Sequence, residues 1–290
     1  MPVRIITDSA SDLTQEDIAA LGNPRLTVLP LSVTFGETTY LDGVNLNHRR
    51  FYELLVEGDD LPMTGQVNPY AFEEAISEAR GAGEEVVVIT LSSKLSGTNG
   101  SALTAAANFD EGVYVVDSKN VTVGERVLID YALRLVDQGL SGADIAVALE
   151  QAREDICVVG LLDTLEFLKR GGRVPAAAAA LGRVLSIKPV ISVVDGAVEL
   201  LGKARGSKNG RNLLTQQLEA AGGIDFSMPI SLGYSGLDDV LLKKYIEDSR
   251  HIWEGHLSLE NMPIHSVGAT IGTHVGPGAI ALAFFKLPAA

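Results

Sequence analysis

Cysteine is almost missing from this chain. The single Cys157 excludes an intramolecular disulfide and fits a reducing compartment. Set inside Ile156-Cys157-Val158-Val159-Gly160-Leu161-Leu162, it reads as a small core hydrophobe rather than a nucleophile. Basic residues are also scarce: 23 Lys and Arg against 37 Asp and Glu give a net charge of −14. That argues against a nucleic-acid partner, whose phosphates need a basic face, and against an anionic membrane surface. No apolar run reaches the ~18 residues of a membrane span. Strand-like Val3 to Thr7 leaves no room for a signal peptide, so a cytoplasmic location is expected.

Several catalytic signatures are missing too. There is no G-x-x-x-x-G-K-[ST] phosphate loop, no G-x-G-x-x-G after the first strand, no G-x-S-x-G elbow and no H-E-x-x-H. The five histidines, at 48, 251, 256, 265 and 274, show no metal-ligand spacing. No nucleophile, base and orienting group can be assembled, so no catalytic residue is assigned.

What is present is a large apolar fraction, 46% of 290 residues, enough for a sizeable core. The pattern is organised around Leu91-Ser92-Ser93-Lys94-Leu95-Ser96-Gly97-Thr98-Asn99-Gly100. It follows Val86 to Thr90, an apolar run that reads as a buried parallel strand, and it opens a small-residue helix from Ser101. Ligands of open α/β sheets bind at such carboxyl ends of strands. Backbone N–H groups and hydroxyls at a helix start favour a carboxylate or a phosphate; the alternative is a plain Ser-rich N-cap.

Strands at Val3–Thr7, Leu26–Val33, Val86–Thr90 and Val113–Asp117 alternate with helices, among them one over Glu125–Gln138. This rhythm predicts a doubly wound, mostly parallel sheet over residues 1–158. Thr14 and Asp17 have the spacing of a capping box. The pattern then changes. An alanine-rich helix at Ala176–Leu185, a hairpin turning at Asp195-Gly196, a helix over Asp238–Trp253 and a strand at Pro263–Val267 predict a mixed α/β domain over 159–290.

Leu61 to Pro69 reads as a loop. Asn68 caps the next helix and Pro69 takes its first position. Thr64 stands just outside that helix, where its hydroxyl can face the same ligand as Ser96 or satisfy local backbone. His274 lies among Gly272, Gly276, Pro277 and Gly278, where backbone can approach a ligand closely; a lone histidine can equally be structural. Lys169-Arg170-Gly171-Gly172-Arg173 and Lys203-Ala204-Arg205 are basic spots on an acidic protein. Each reads as a solvated patch or, as a pair, as a site for phosphate or a protein partner.

Six motifs combine: Thr7-Asp8-Ser9-Ala10-Ser11-Asp12-Leu13, Tyr40-Leu41-Asp42-Gly43, Phe51-Tyr52, Ser92-Ser93-Lys94-Leu95-Ser96-Gly97-Thr98, Leu168-Lys169-Arg170-Gly171-Gly172-Arg173 and Gly272-Thr273-His274-Val275-Gly276-Pro277-Gly278-Ala279. Each alone is weak, but in this order over the whole chain they are specific. The chain resembles the DegV family, the fatty-acid-binding subunits of bacterial fatty acid kinase.

The resemblance implies a two-domain α/β fold with a fatty acid such as palmitate between the domains. It implies that Thr64 and Ser96 hydrogen-bond the carboxylate, with the Gly97 N–H and His274 nearby. It places Arg173 and Arg205 in segments used toward the head group or the kinase. It implies no metal and no cofactor beyond the bound acid, and a separate ATP-dependent kinase catalytic subunit whose acyl phosphate product feeds phospholipid synthesis. One departure stands out: where the family usually reads Thr-Ser-Gln-Pro, this chain has Thr64-Gly65-Gln66-Val67. The rival reading is a stand-alone α/β hydrolase or phosphotransferase acting on a small acid through Ser96 and His274, for which no activating base is identifiable.

Overall fold

The computed structural model describes residues 1–14, 17–19, 22, 24–58, 61–174 and 187–287. The first sheet is wholly parallel. It joins Val3–Asp8 (β1), Leu26–Leu29 (β2), Glu85–Thr90 (β6) and Val113–Asp117 (β7) in the order β2-β1-β6-β7. β1 and β6 carry apolar residues on both sides at their centres, Ile5-Ile6 and Val86 to Ile89, because both faces are covered. Ile5, Val87 and Ile89 face one core, and Ile6, Val86 and Val88 face the other. Pro69–Gly81 (α2) and Thr98–Ala106 (α3) pack on the second of these faces; Val123–Asp137 (α4) and Gly142–Ala152 (α5) pack on the first.

The expected strand Leu26–Val33 is two strands. Pro30 supplies no N–H, and Leu31 turns its backbone to the Ser9 hydroxyl and to the Asp42 N–H. β2 therefore ends at Leu29, and Ser32–Phe35 (β3) starts a small antiparallel sheet. That sheet runs β4-β3-β5, with Thr38–Leu41 (β4) and Met63–Gly65 (β5). β5 is a correction: Thr64 lies on a short strand paired with Val33, within a stretch expected to be loop. Asn47 caps His48–Glu57 (α1) as its spacing suggests. The Thr14–Asp17 capping box forms, each backbone N–H meeting the other's side chain at 2.9–3.0 Å.

The second sheet is mixed, in the order Ala197–Arg205, Ile187–Val194, Ile156–Leu161, Ile280–Phe285, Ser231–Tyr234, Ile264–Ser266. Ile156–Leu161 (β8) lies in it over its whole length, so the expected division between residues 158 and 159 runs through this strand. Glu166–Arg170 (α6) follows; the alanine-rich helix expected at 176–185 lies outside the described residues. Ile187–Val194 (β9) and Ala197–Arg205 (β10) form the expected hairpin, with Asp195 and Gly196 both at positive φ. Ser207–Ala220 (α7), Ser231–Tyr234 (β11) and Ile264–Ser266 (β12) come next. The expected helix Asp238–Trp253 is broken into Val240–Asp248 (α8) and Arg250–Trp253 (α9). At the break the buried Ser249 hydroxyl donates to Tyr245 O and accepts the Trp253 indole N–H. Ala269–Val275 (α10) leads into Ile280–Phe285 (β13), which lies in the middle of this sheet between β8 and β11.

One helix serves both sheets. Val127, Leu128 and Ile129 of α4 share a core with β1 and β6 on one side and with Val158, Ala283 and Phe285 of the second sheet on the other. Added Cβ atoms at Gly124 and Gly233 would run into Val158 and Val123, so both glycines permit this close approach. The layer between the sheets is filled by α4 along part of its length and is hollow along the rest.

Candidate functional site

The hollow begins where the loop after β6 meets α3. Leu91 N–H is held by the Asp8 carboxyl at 2.9 Å, and the Ser92 hydroxyl donates to Gly196 O at 2.7 Å. The loop is thus tied to β1 and to the tip of the β9–β10 hairpin. Ser96 Oγ lies 3.0 Å from Thr98 Oγ1, and Gly97 occupies the N-cap of α3, which makes no side-chain capping bond. The Gln66 side chain donates to Ser101 at 2.9 Å and fills the space where a side chain at Gly97 would go.

Thr64 and His274, 210 residues apart, meet here: Thr64 Oγ1 is 3.0 Å from His274 Nε2. Burial, and then the neighbouring Arg173 guanidinium, push the imidazole pKa down to about 4, so it is neutral at pH 7. Its Nδ1 has no hydrogen-bond partner among the described residues. The tautomer that leaves a lone pair rather than an N–H unsatisfied carries the proton on Nε2. Nε2–H then donates to Thr64, and the Thr64 proton is free for another acceptor. Gly171 explains part of its motif: a Cβ there would strike His274 Nδ1. Arg173 donates to Leu95 O at 3.0 and 3.1 Å and to Gly171 O at 2.6 Å, and no carboxylate pairs with it among the described residues.

Thr64, Ser96, Gly97, Arg173 and His274 all line one cavity of about 1160 Å³, its mouth included. The structure brings these five together. Arg205 does not join them: it is exposed, eight residues along β10 from the mouth residue Ala197, or about 26 Å at the rise of a strand. Beyond the five the lining turns apolar: Leu31, Leu91 and Val121 come from the first half, Val158, Ile191 and Val193 from the second sheet, and Ile271 from α10. A surface pocket that shares Leu95, Ser96, Gly97, Arg173 and Val198 with it marks the mouth.

The reading of the Gly272 segment needs correcting. His274 lies on a helix, α10, and its glycines serve packing rather than ligand approach. A Cβ at Gly272 would meet Phe51 and Tyr52 of α1, and one at Gly276 would enter the Phe167 ring. The sequence also gave no role to the carboxyl groups that hold α10. Asp42 accepts from Ala269 and Thr270 N–H at 3.1 and 3.0 Å, and Asp12 accepts from Gly268 N–H at 2.8 Å and from the Thr122 hydroxyl. Burial pushes Asp8 and Asp12 up to about 7. The quoted motifs contained all three acids; their function as clamps was not visible until the chain folded back on them.

A family profile described as "Uncharacterised protein, DegV family" matches residues 2–287. A DegV domain-containing protein of Deinococcus radiodurans is 35% identical over 293 residues, covering both chains fully. The chain belongs to the DegV family. Among solved DegV structures, one from Thermus thermophilus described for its fatty acid binding is 32% identical, with a TM-score of 0.86 over 99% of this chain and 100% of that one. A stearic-acid-binding protein from Eubacterium ventriosum is 28% identical, with a TM-score of 0.85 over 98% of each. Against the usual DegV loop, Gly65 has a local reason: the Ser32 hydroxyl of the paired strand occupies the space a side chain at 65 would need. Val67 is buried in the core beside α2.

Proposed function

We propose that this DegV protein holds a long-chain fatty acid in the cavity, with the carboxylate at Thr64, Ser96, the Gly97 N–H and His274 and with Arg173 as the nearby positive charge. The observation that carries this reading is an apolar cavity between two sheets whose polar end gathers two alcohols, a neutral imidazole and an arginine that no carboxylate pairs among the described residues. The solved relatives described as fatty-acid-binding support it.

The energetics fit. About 14 buried methylenes at roughly 0.8 kcal/mol each offer about 11 kcal/mol before ordering costs. Each hydrogen bond adds about 1 kcal/mol, or roughly 1.5–3 to a charged group. The tail therefore dominates affinity, and the hydroxyls orient the head group and offset its desolvation.

The carboxylate would lie at the mouth, within reach of a second protein. On this reading the chain is a carrier: it presents the acid to a separate ATP-dependent kinase and carries the acyl phosphate toward phospholipid synthesis. Mass spectrometry of a denatured extract tests the first part and should release long-chain acid in stoichiometric amount. Thr64→Val and Ser96→Ala should each weaken retention about tenfold, the equivalent of one good hydrogen bond. Full lipid content and normal kinase turnover in both variants would refute the assignment. Arg173→Ala and Arg205→Ala should impair kinase-dependent turnover more than lipid content; equal loss of lipid would put them in ligand binding instead.

A further inference from the structure

Among the described residues five hydroxyl side chains line the cavity, and four are committed. Thr64 is bonded to His274, Ser96 to Thr98, Thr122 to Asp12, and Ser192 to Val158 O. The fifth, Thr270, is 3% exposed, and its Oγ1 has no hydrogen-bond partner among the described residues.

The reason is its place in α10. A threonine inside a helix can return its hydroxyl to the carbonyl four residues back, as Thr273 does to Ala269 O at 2.9 Å. Thr270 is the second residue of the helix, so the residue four before it, Ser266, lies outside the helix and offers no such carbonyl. Its own N–H is taken by Asp42. A buried hydroxyl left unmatched is unfavourable, and valine would fill the same volume without that penalty. Threonine in a helix has two open χ1 wells, and rotation between them lets either branch of its Cβ face the lumen.

Thr270 and His274 are four apart on one helix face, with Cβ atoms about 6 Å from each other. A ligand whose carboxylate sits at His274 therefore passes Thr270 within its first few carbons. Resting on the fatty-acid reading above, we propose that Thr270 is a second polar station. It would select long-chain acids that carry a hydroxyl or carbonyl oxygen close to the carboxyl end over unsubstituted ones.

The test is competition between hexadecanoic acid and 3-hydroxyhexadecanoic acid for delipidated protein, with the bound ratio read by native mass spectrometry. Wild type and Thr270→Ser should favour the hydroxy acid about tenfold more than Thr270→Val does, while all three hold hexadecanoic acid equally. Valine is near-isosteric, so an unchanged load of hexadecanoic acid certifies the fold of that variant. Equal ratios in wild type and Thr270→Val, as a lumenal water satisfying the hydroxyl would give, overturn the proposal. If wild type binds neither acid, the fatty-acid reading itself falls, and this inference with it.

Discussion

A carboxyl group buried without a counter-charge in contact relieves the strain most readily by keeping its proton. Glu125 is fully buried in α4; Oε1 accepts from the Thr7 hydroxyl at 3.2 Å, and Oε2 has no partner among the described residues. Burial first, and then Asp8, push its pKa well above the ordinary range. Asp8 and Asp12 are raised to about 7 in the same neighbourhood. A carboxyl raised in the fold gives stability that is complete below its unfolded pKa and is lost as pH rises through the folded one. His274 and His265 act in the opposite sense. Burial depresses both to about 4, so their contribution is complete above 6.5 and is lost as pH falls through 4. Between pH 4 and 6.5 the two sets oppose each other. Above 6.5 only the carboxyls still change, so the urea midpoint should fall from pH 6.5 to pH 8. Glu125→Gln keeps the shape and removes the ionisation; it should raise the midpoint at pH 8 and leave it nearly unchanged at pH 4, below the ordinary glutamate value of 4.5. A midpoint that is flat or rises between 6.5 and 8 in wild type would contradict this account of the buried acids.

At the scale of elements, the site depends on α10 being held at its first turn. Asp42 and Asp12 take three successive backbone N–H groups, those of Gly268, Ala269 and Thr270, at the end of the helix where the dipole favours negative charge. Asp42→Asn keeps the size but weakens two of these bonds, and should destabilise the fold by about 2–4 kcal/mol in urea unfolding. It should also loosen lipid retention, because His274 sits one turn along. Destabilisation with retention intact would mean that α10 does not need this clamp to place His274. How much of this was legible differs by element. β1, β6 and the Ser96 loop were readable because an apolar run followed by small hydroxyl residues has few other meanings. The Asn47 and Asn68 caps and the Thr14–Asp17 box were readable because capping is local. β5 was hidden because three residues carry no period, and its pairing with β3 is a tertiary contact. The helical nature of the His274 segment was hidden by its glycines, whose reason is the Phe51, Tyr52 and Phe167 rings brought up by other parts of the chain.

At the scale of the whole molecule, the cavity belongs to no single segment. The four residues singled out in the sequence, Thr64, Ser96, Gly97 and His274, share one end of it, whereas its length is set by where two sheets and α4 leave space. β8 shows how that space is divided. Val159 and Leu161 face the outer core of the second sheet, whereas Val158 and Gly160 line the hollow. Gly160 is thus a place where the floor carries no side chain. A Cβ there would sit 3.5 Å from Ile191 and 3.6 Å from Ile280 O, ordinary contact distances, so small side chains fit. On the proposed reading, Gly160→Ala should leave the profile of bound acids unchanged. Gly160→Leu should extend into the lumen and shift the acids released on denaturation toward shorter chains. The cost in stability should stay within the roughly 1–3 kcal/mol typical of overpacking, because the added atoms enter the lumen and not the packed side chains around it. Identical acyl profiles from wild type and Gly160→Leu would mean that the tail does not run between β8 and α4, and the path of the chain through the molecule would have to be redrawn.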